Sequence, residues 1–155
     1  MRFLADVMLE KTARWLRMAG LDVEKPTVQD DELILMHAKK NRLILLTCDE
    51  ELYKKSVLSE ADALLVPDAS FEKQVAFIAG KFDIPLPDDI EPARCPVCNG
   101  VLEIEKPKDA KDIVPAKVYK LHKKYWKCKD CGKVYWKGTH WDKISDTIKR
   151  IKKEK

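Results

Sequence analysis

Four cysteines and three aspartates carry the chemistry legible in this sequence. Cys95 and Cys98 form one Cys-x-x-Cys pair and Cys128 and Cys131 a second, with 29 residues between the pairs. Two thiolates three residues apart grip one cation from a tight turn, and two such turns complete a tetrahedral four-sulfur site that suits structural zinc. Gly100 and Gly132 close the two knuckles, where the chain needs a residue tolerant of positive φ. With every position filled by protein, the expected zinc is structural and not catalytic; rubredoxin-like iron, or plain buried thiols or disulfides, are the alternatives. The fifth cysteine, Cys48, stands beside Asp49 with no histidine near it in sequence, which argues for a strand-end residue and against a nucleophile.

The acids call for a different metal. Asp6 is embedded in Phe3-Leu-Ala-Asp6-Val-Met-Leu9, Asp49 follows the apolar run Leu43-Ile-Leu-Leu-Thr47-Cys48, and Asp30 and Asp31 open a helical stretch. A carboxylate inside an apolar strand is costly unless something satisfies it. Acids that converge at strand ends repel one another unless a divalent cation binds between them, and all-oxygen ligands suit Mg²⁺ or Mn²⁺. Such ions activate water and stabilise a leaving oxygen in phosphodiester cleavage. Asp30 also reads as an N-cap, and Asp49 and Asp68 as turn residues. Arg14 and Arg17, three apart and opposite the apolar stripe of the first predicted helix, suit either a phosphate or a plain surface pair.

Hydropathy predicts the elements that must position these groups. Residues 2–9 read as a strand, and 10–19 as a helix with Leu9, Ala13 and Leu16 on one stripe and Gly20 as its stop. Strands at 21–23, 42–47 and 63–66 alternate with helices at 30–41, from residue 50, and at 71–82. The near-continuous apolar run at 42–47 is expected where helices cover both faces of a parallel sheet. The alternation predicts an α/β domain with a mostly parallel sheet over residues 1–86.

Pro85, Pro87 and Pro92 around an acidic stretch predict a linker, after which the texture changes. Residues 93–155 read as a small zinc ribbon with a basic C-terminal helix at 140–155. Strands are expected at 101–105 and 117–121, a polar loop at 106–115, and a strand running out of the second knuckle within 128–136. Residues 1–90 hold 12 Lys/Arg against 17 Asp/Glu, a net −5, and residues 91–155 hold 18 against 9, a net +9. The basic half suits nucleic acid. Trp126, Trp136 and Trp141 lie there with Tyr125, Tyr135 and His140, either to stack bases or to fill a small core. No apolar run reaches the length of a membrane span, and Asp6 interrupts any signal-peptide core. A cytoplasmic protein with no membrane partner is expected.

The stretches Phe3-Leu-Ala-Asp6-Val-Met-Leu9 and Ala13-Arg14-Trp15-Leu16-Arg17-Met18-Ala-Gly20 resemble the Mut-seven C-terminal RNase domain family. So do Asp31-Glu-Leu-Ile, Leu45-Leu-Thr47-Cys-Asp49 and the tail Cys131-Gly-Lys-Val-Tyr-Trp-Lys-Gly-Thr-His-Trp141. The resemblance implies a three-layer PIN-like nuclease domain followed by a Cys₄ zinc ribbon. It also implies a metal-dependent ribonuclease in which Asp6, Asp31 and Asp49 are the acidic Mg²⁺ or Mn²⁺ ligands and cleavage leaves a 5′-phosphate. Cys48 stands where the family usually has a basic residue, which removes one phosphate contact. The competing expectation is a non-catalytic RNA- or ribosome-associated binding protein with the same fold. Receiver-like phosphoacceptor chemistry ranks lower, because the sequence lacks adjacent acids after the first strand and a later strand-end lysine. Endonucleolytic and exonucleolytic action fit these motifs equally.

Overall fold

The computed structural model describes residues 1–87 and 90–154. Asp88 and Asp89 of the predicted linker, and Lys155 at the end of the predicted last helix, lie outside the described residues. Strand β1 (Arg2–Ala5) passes through a 3₁₀ turn (Val7–Leu9) into α1 (Glu10–Met18). Then follow β2 (Asp22–Glu24), α2 (Asp31–Asn41), β3 (Ile44–Thr47), α3 (Glu50–Leu58), β4 (Ala63–Leu65) and α4 (Phe71–Lys81). All neighbouring strands are parallel, in the order β2-β1-β3-β4. The first strand is shorter than expected. Asp6 leaves the strand and caps the 3₁₀ turn by accepting from the Val7 amide.

Side chains alternate across a strand, and that alternation builds three layers. Phe3, Ala5 and Leu46 pack with Leu16 and Ile78, which places α1 and α4 on one face of the sheet. Leu4 and Leu45 pack with Ile34, Leu35 and Leu52, which places α2 and α3 on the other. The chain leaves β1 for β2 on one side and leaves β3 for β4 on the other. The carboxyl ends of β1 and β3 therefore form a topological switch point, where α/β sheets place their ligands.

The second unit is an antiparallel sheet of β5 (Leu102–Glu105), β6 (Tyr125–Cys128) and β7 (Val134–Tyr135), in that order. Two short helices, α5 (Pro107–Ala110) and α6 (Ala116–Leu121), lie between β5 and β6. They correct two expectations: 106–115 is not all loop, and 117–121 is helix, not strand. Proline suits the first turn of α5 because its missing N–H would have no helical partner there. The unpredicted β6 is the centre of the ribbon. Trp126 packs with Cys95, Leu102 and Cys128 on one side. Its neighbour Tyr125 packs with Ala110 and Val114 on the other.

The last helix, α7 (His140–Glu154), runs back to the first unit. Ile151 joins the cluster that holds Phe3 and Ile78, α7 lies against α4, and Arg150 reaches Glu72 at 3.7 Å. Chain order groups this helix with the ribbon, and its Ile151 is buried in the core of the α/β unit. No helix among the described residues is long and apolar enough to cross a membrane.

Candidate active site and metal centre

Thr47 joins the ends of the two central strands. Its Oγ1 donates to Asp6 Oδ2 at 3.1 Å and accepts from the Asp49 amide at 2.9 Å. Thr47 is wholly buried and Asp6 is 7 % exposed, so these are contacts in a water-poor setting. Asp6 Oδ1 accepts from the Val7 amide at 2.6 Å. Asp49 is the N-cap of α3, its Oδ1 accepting from the amides of Glu51 and Leu52. Its other oxygen takes no hydrogen bond among the described residues.

Asp31 is placed differently. Asp30 is the N-cap of α2, with Oδ1 accepting from the Leu33 amide, and Asp31 begins the helix. Asp31 Oδ2 accepts from Lys55 Nζ at 2.7 Å, a contact that raises the Lys55 pKa above its usual value. Among the described residues, the cysteines are the one group of three or more ligating side chains within 4.8 Å of one another. The three acids thus do not form such a cluster: Thr47 links two of them, and a lysine holds the third.

Asp68 lies on the same edge, beyond β4 and beside Cys48. The Cys48 thiol is pushed up by its burial, and then by the nearby carboxylates of Asp68 and Asp6. That shift keeps Cys48 protonated and is the opposite of what a nucleophile needs. An open hollow of about 450 Å³ beside this edge is lined by Met8, Lys11, Thr12, Cys48, Asp68 and Gln74, among others. Gln74 accepts from Thr12 at 2.5 Å and donates to Cys48 Sγ at 3.4 Å, tying α1 and α4 to β3. Neither Lys11 nor Gln74 has a sequence signal beyond its position on a helix. Thr47 has one, as the hydroxyl that closes an apolar strand.

The two arginines part company. Arg14 is exposed on α1. Arg17, expected opposite the apolar stripe, is only 3 % exposed. Its Nε donates to Val23 O at 2.7 Å and its Nη1 to Pro96 O at 3.2 Å. It therefore fastens the first knuckle to β2 from a buried position, not from the exposed face expected of it. Asn99 completes the clasp, accepting from the Val23 amide at 3.0 Å and donating to Asp22 at 2.7 Å. Arg94 bonds the same carboxylate at 2.9 Å.

The two knuckles repeat one geometry. The amide of Cys95 donates to Gly100 O and that of Asn99 to Cys95 O. Likewise the amide of Cys128 donates to Lys133 O and that of Gly132 to Cys128 O. Asn99 (φ 71°) and Gly132 (φ 72°) hold the left-handed position; in the first knuckle this is Asn99, and not Gly100 as expected. The sulfurs of Cys95 and Cys131 lie 3.7 Å apart and those of Cys98 and Cys128 3.4 Å. Sulfurs tetrahedral around zinc at ~2.3 Å stand about 3.8 Å apart. Burial opposes the Cys95 thiolate, but the Tyr135 hydroxyl, 3.0 Å from its sulfur, and the amides of Cys98 and Val97 outweigh burial and bring its pKa to about 7. Desolvation of the half-buried Cys98, with crowding by the other sulfurs, pushes its thiol up to about 12 against the Gly100 amide. Four crowded thiols with amides aimed at them suit one soft divalent cation, and the set fits zinc.

Fold and site define a three-layer α/β domain with acids at its switch point, joined to a four-cysteine ribbon. The sequence model of one family, the Mut7-C RNAse domain, matches residues 1–148, and the chain belongs to that family. No curated protein and no solved structure matches it.

Proposed function

We propose that the protein is a divalent-metal-dependent ribonuclease whose centre is the switch point at Asp6 and Asp49. The observation that carries this reading is the Thr47 bridge between the two acid-bearing strand ends, in a chain of an RNAse-domain family. Asp6 and Asp49 offer the hard oxygen donors that Mg²⁺ or Mn²⁺ takes alongside several waters. When bound, such an ion acidifies water and offsets the charge of the phosphate. Thr47 fixes the rotamer of Asp6, and the α3 cap fixes that of Asp49. Asp31 joins the ligand set when it parts from Lys55, and Arg14 on the exposed face of α1 serves as a phosphate contact. Water attacks the phosphorus, and the break leaves a 5′-phosphate and a 3′-hydroxyl. The Cys₄ zinc holds the ribbon, whose lysines bind the RNA backbone, and the protein works in the cytoplasm.

The test is incubation of zinc-loaded protein with end-labelled single-stranded and structured RNA, with and without Mn²⁺. Mn²⁺-dependent cleavage that Asp6→Asn abolishes is the expected result. RNA binding without cleavage, unchanged by Asp6→Asn, would establish a non-catalytic RNA-binding protein instead.

A further inference from the structure

The tail of the ribbon, Tyr135-Trp-Lys-Gly-Thr-His-Trp141, takes no part in the acidic centre or the zinc knuckles beyond the Tyr135 hydroxyl. Its rings wall a separate cavity of about 170 Å³ at the junction of ribbon, α1 and α7, lined by Met18, Ile90, Tyr135, Trp136, His140 and Trp141, among others. Gly138 makes the wall possible. A Cβ there would lie 3.0 Å from Trp136 Nε1 and 3.3 Å from His140 Nδ1, so a side chain would push the rings apart.

Next to the cavity lies a basic hollow of about 410 Å³, lined by Glu91, His122, Lys123, Lys124, Trp126 and Lys137, among others. Trp136 and Lys137 are consecutive, and one lines the aromatic cavity while the other lines the basic hollow. Lys137 Nζ also stands 5.2 Å from the centre of the Trp141 ring. Aromatic faces beside clustered ammonium groups are what a single nucleotide unit requires: a flat ring to stack and a phosphate to neutralise.

We infer that this cavity is a nucleobase-binding subsite, and that the basic hollow holds the phosphates flanking that base in single-stranded RNA. The inference rests on the RNA-binding side of the proposed function but not on cleavage. Met18 ends α1, and the 3₁₀ turn Val7–Leu9 stands between Asp6 and its start, so the subsite and the acids lie beyond opposite ends of a helix about 13.5 Å long at 1.5 Å per residue. A base bound there grips the substrate several nucleotides' reach from the break. It acts on KM and not on kcat.

The experiment uses the full zinc-loaded chain without other divalent ions. It compares a labelled single-stranded decaribonucleotide with an abasic decamer of the same sugar-phosphate backbone. The expected result is that the base-containing strand binds about tenfold tighter or more. Trp136→Ala and Trp141→Ala, with zinc content and circular dichroism measured, should erase that ratio, while Trp141→Phe keeps it. Lys123→Ala and Lys137→Ala should weaken both strands equally and reduce the salt dependence. Equal binding of the two strands by the unmutated protein overturns the subsite, a comparison that needs no variant to fold. So does a ratio that survives loss of the indoles, or sedimentation showing a second copy seated on this face. Cleavage measured separately keeps the two claims apart. Base discrimination without cleavage removes the nuclease reading alone, and cleavage without base discrimination removes the subsite alone.

Discussion

Thr47→Val is nearly isosteric, so its effect isolates one oxygen. In the wild type that oxygen donates to Asp6 at 3.1 Å and accepts from the Asp49 amide at 2.9 Å, at a side chain with no exposure to water. A hydrogen bond to a charged group is worth ~1.5–3 kcal/mol, and leaving the part-buried Asp49 amide without its acceptor costs ~1 kcal/mol, the low end for an unsatisfied group. Valine recovers part of this by its greater apolar character, so the net loss should be about 3 kcal/mol. For a chain of this size each kcal/mol moves the melting point by roughly 3 °C, which puts the expected fall near ~9 °C. Cleavage should fall as well, because Asp6 loses the contact that orients it. Thr47→Ser keeps the oxygen and loses a methyl group, so it should cost about 1 kcal/mol and retain activity. The assays are thermal unfolding by circular dichroism and single-turnover RNA cleavage. If Thr47→Val melts within about 1 °C of wild type and cleaves at the same rate, Thr47 merely fills space and the bridge has no role.

Three further outcomes follow from the geometry. Tyr135→Phe removes the hydroxyl beside Cys95 and should weaken zinc about tenfold, the lower end for a group that bonds a metal ligand, read as faster zinc transfer to a chelator. Arg17→Met strips the donors from Val23 O and Pro96 O and should cost ~2–4 kcal/mol in urea unfolding. It should also speed hydrogen exchange at the Val23 amide, which Asn99 of the ribbon holds. Lys55→Met breaks an exposed ion pair and should leave stability near wild type. It should tighten Mn²⁺ binding in calorimetry by releasing Asp31, and unchanged affinity would take Asp31 out of the ligand set.

Much of the α/β unit is legible in its hydropathy. The apolar runs at β1 and β3 are buried from both sides, so they stand out as strands, and Asp30 and Gly20 punctuate the helices by chemistry that works locally. The ribbon is less legible because its core is small and its elements are short. Residues 117–121 carry Val118 and Tyr119, which suit a strand, yet α6 forms because its partly buried side chains complete the Tyr125 cluster. In β6 the adjacent Tyr125 and Trp126 face two separate cores, so no alternation of polar and apolar residues marks the strand. The cysteine quartet is fully readable from spacing, since ligand chemistry fixes it. Arg17 and Lys55 are not, because a charged side chain on a helix gives no sign of the carbonyl or carboxylate that another element will bring to it.

In the proposed function the carboxylates at the switch point do the chemistry. Its most direct measurement is the single-turnover rate of RNA cleavage in Mn²⁺ by Asp6→Asn and Asp49→Asn, with zinc content and melting point matched to wild type. A drop of at least about a hundredfold in both is predicted, the scale of a lost metal contribution of several kcal/mol. Cleavage at the wild-type rate by either folded variant would remove these carboxylates from the chemistry.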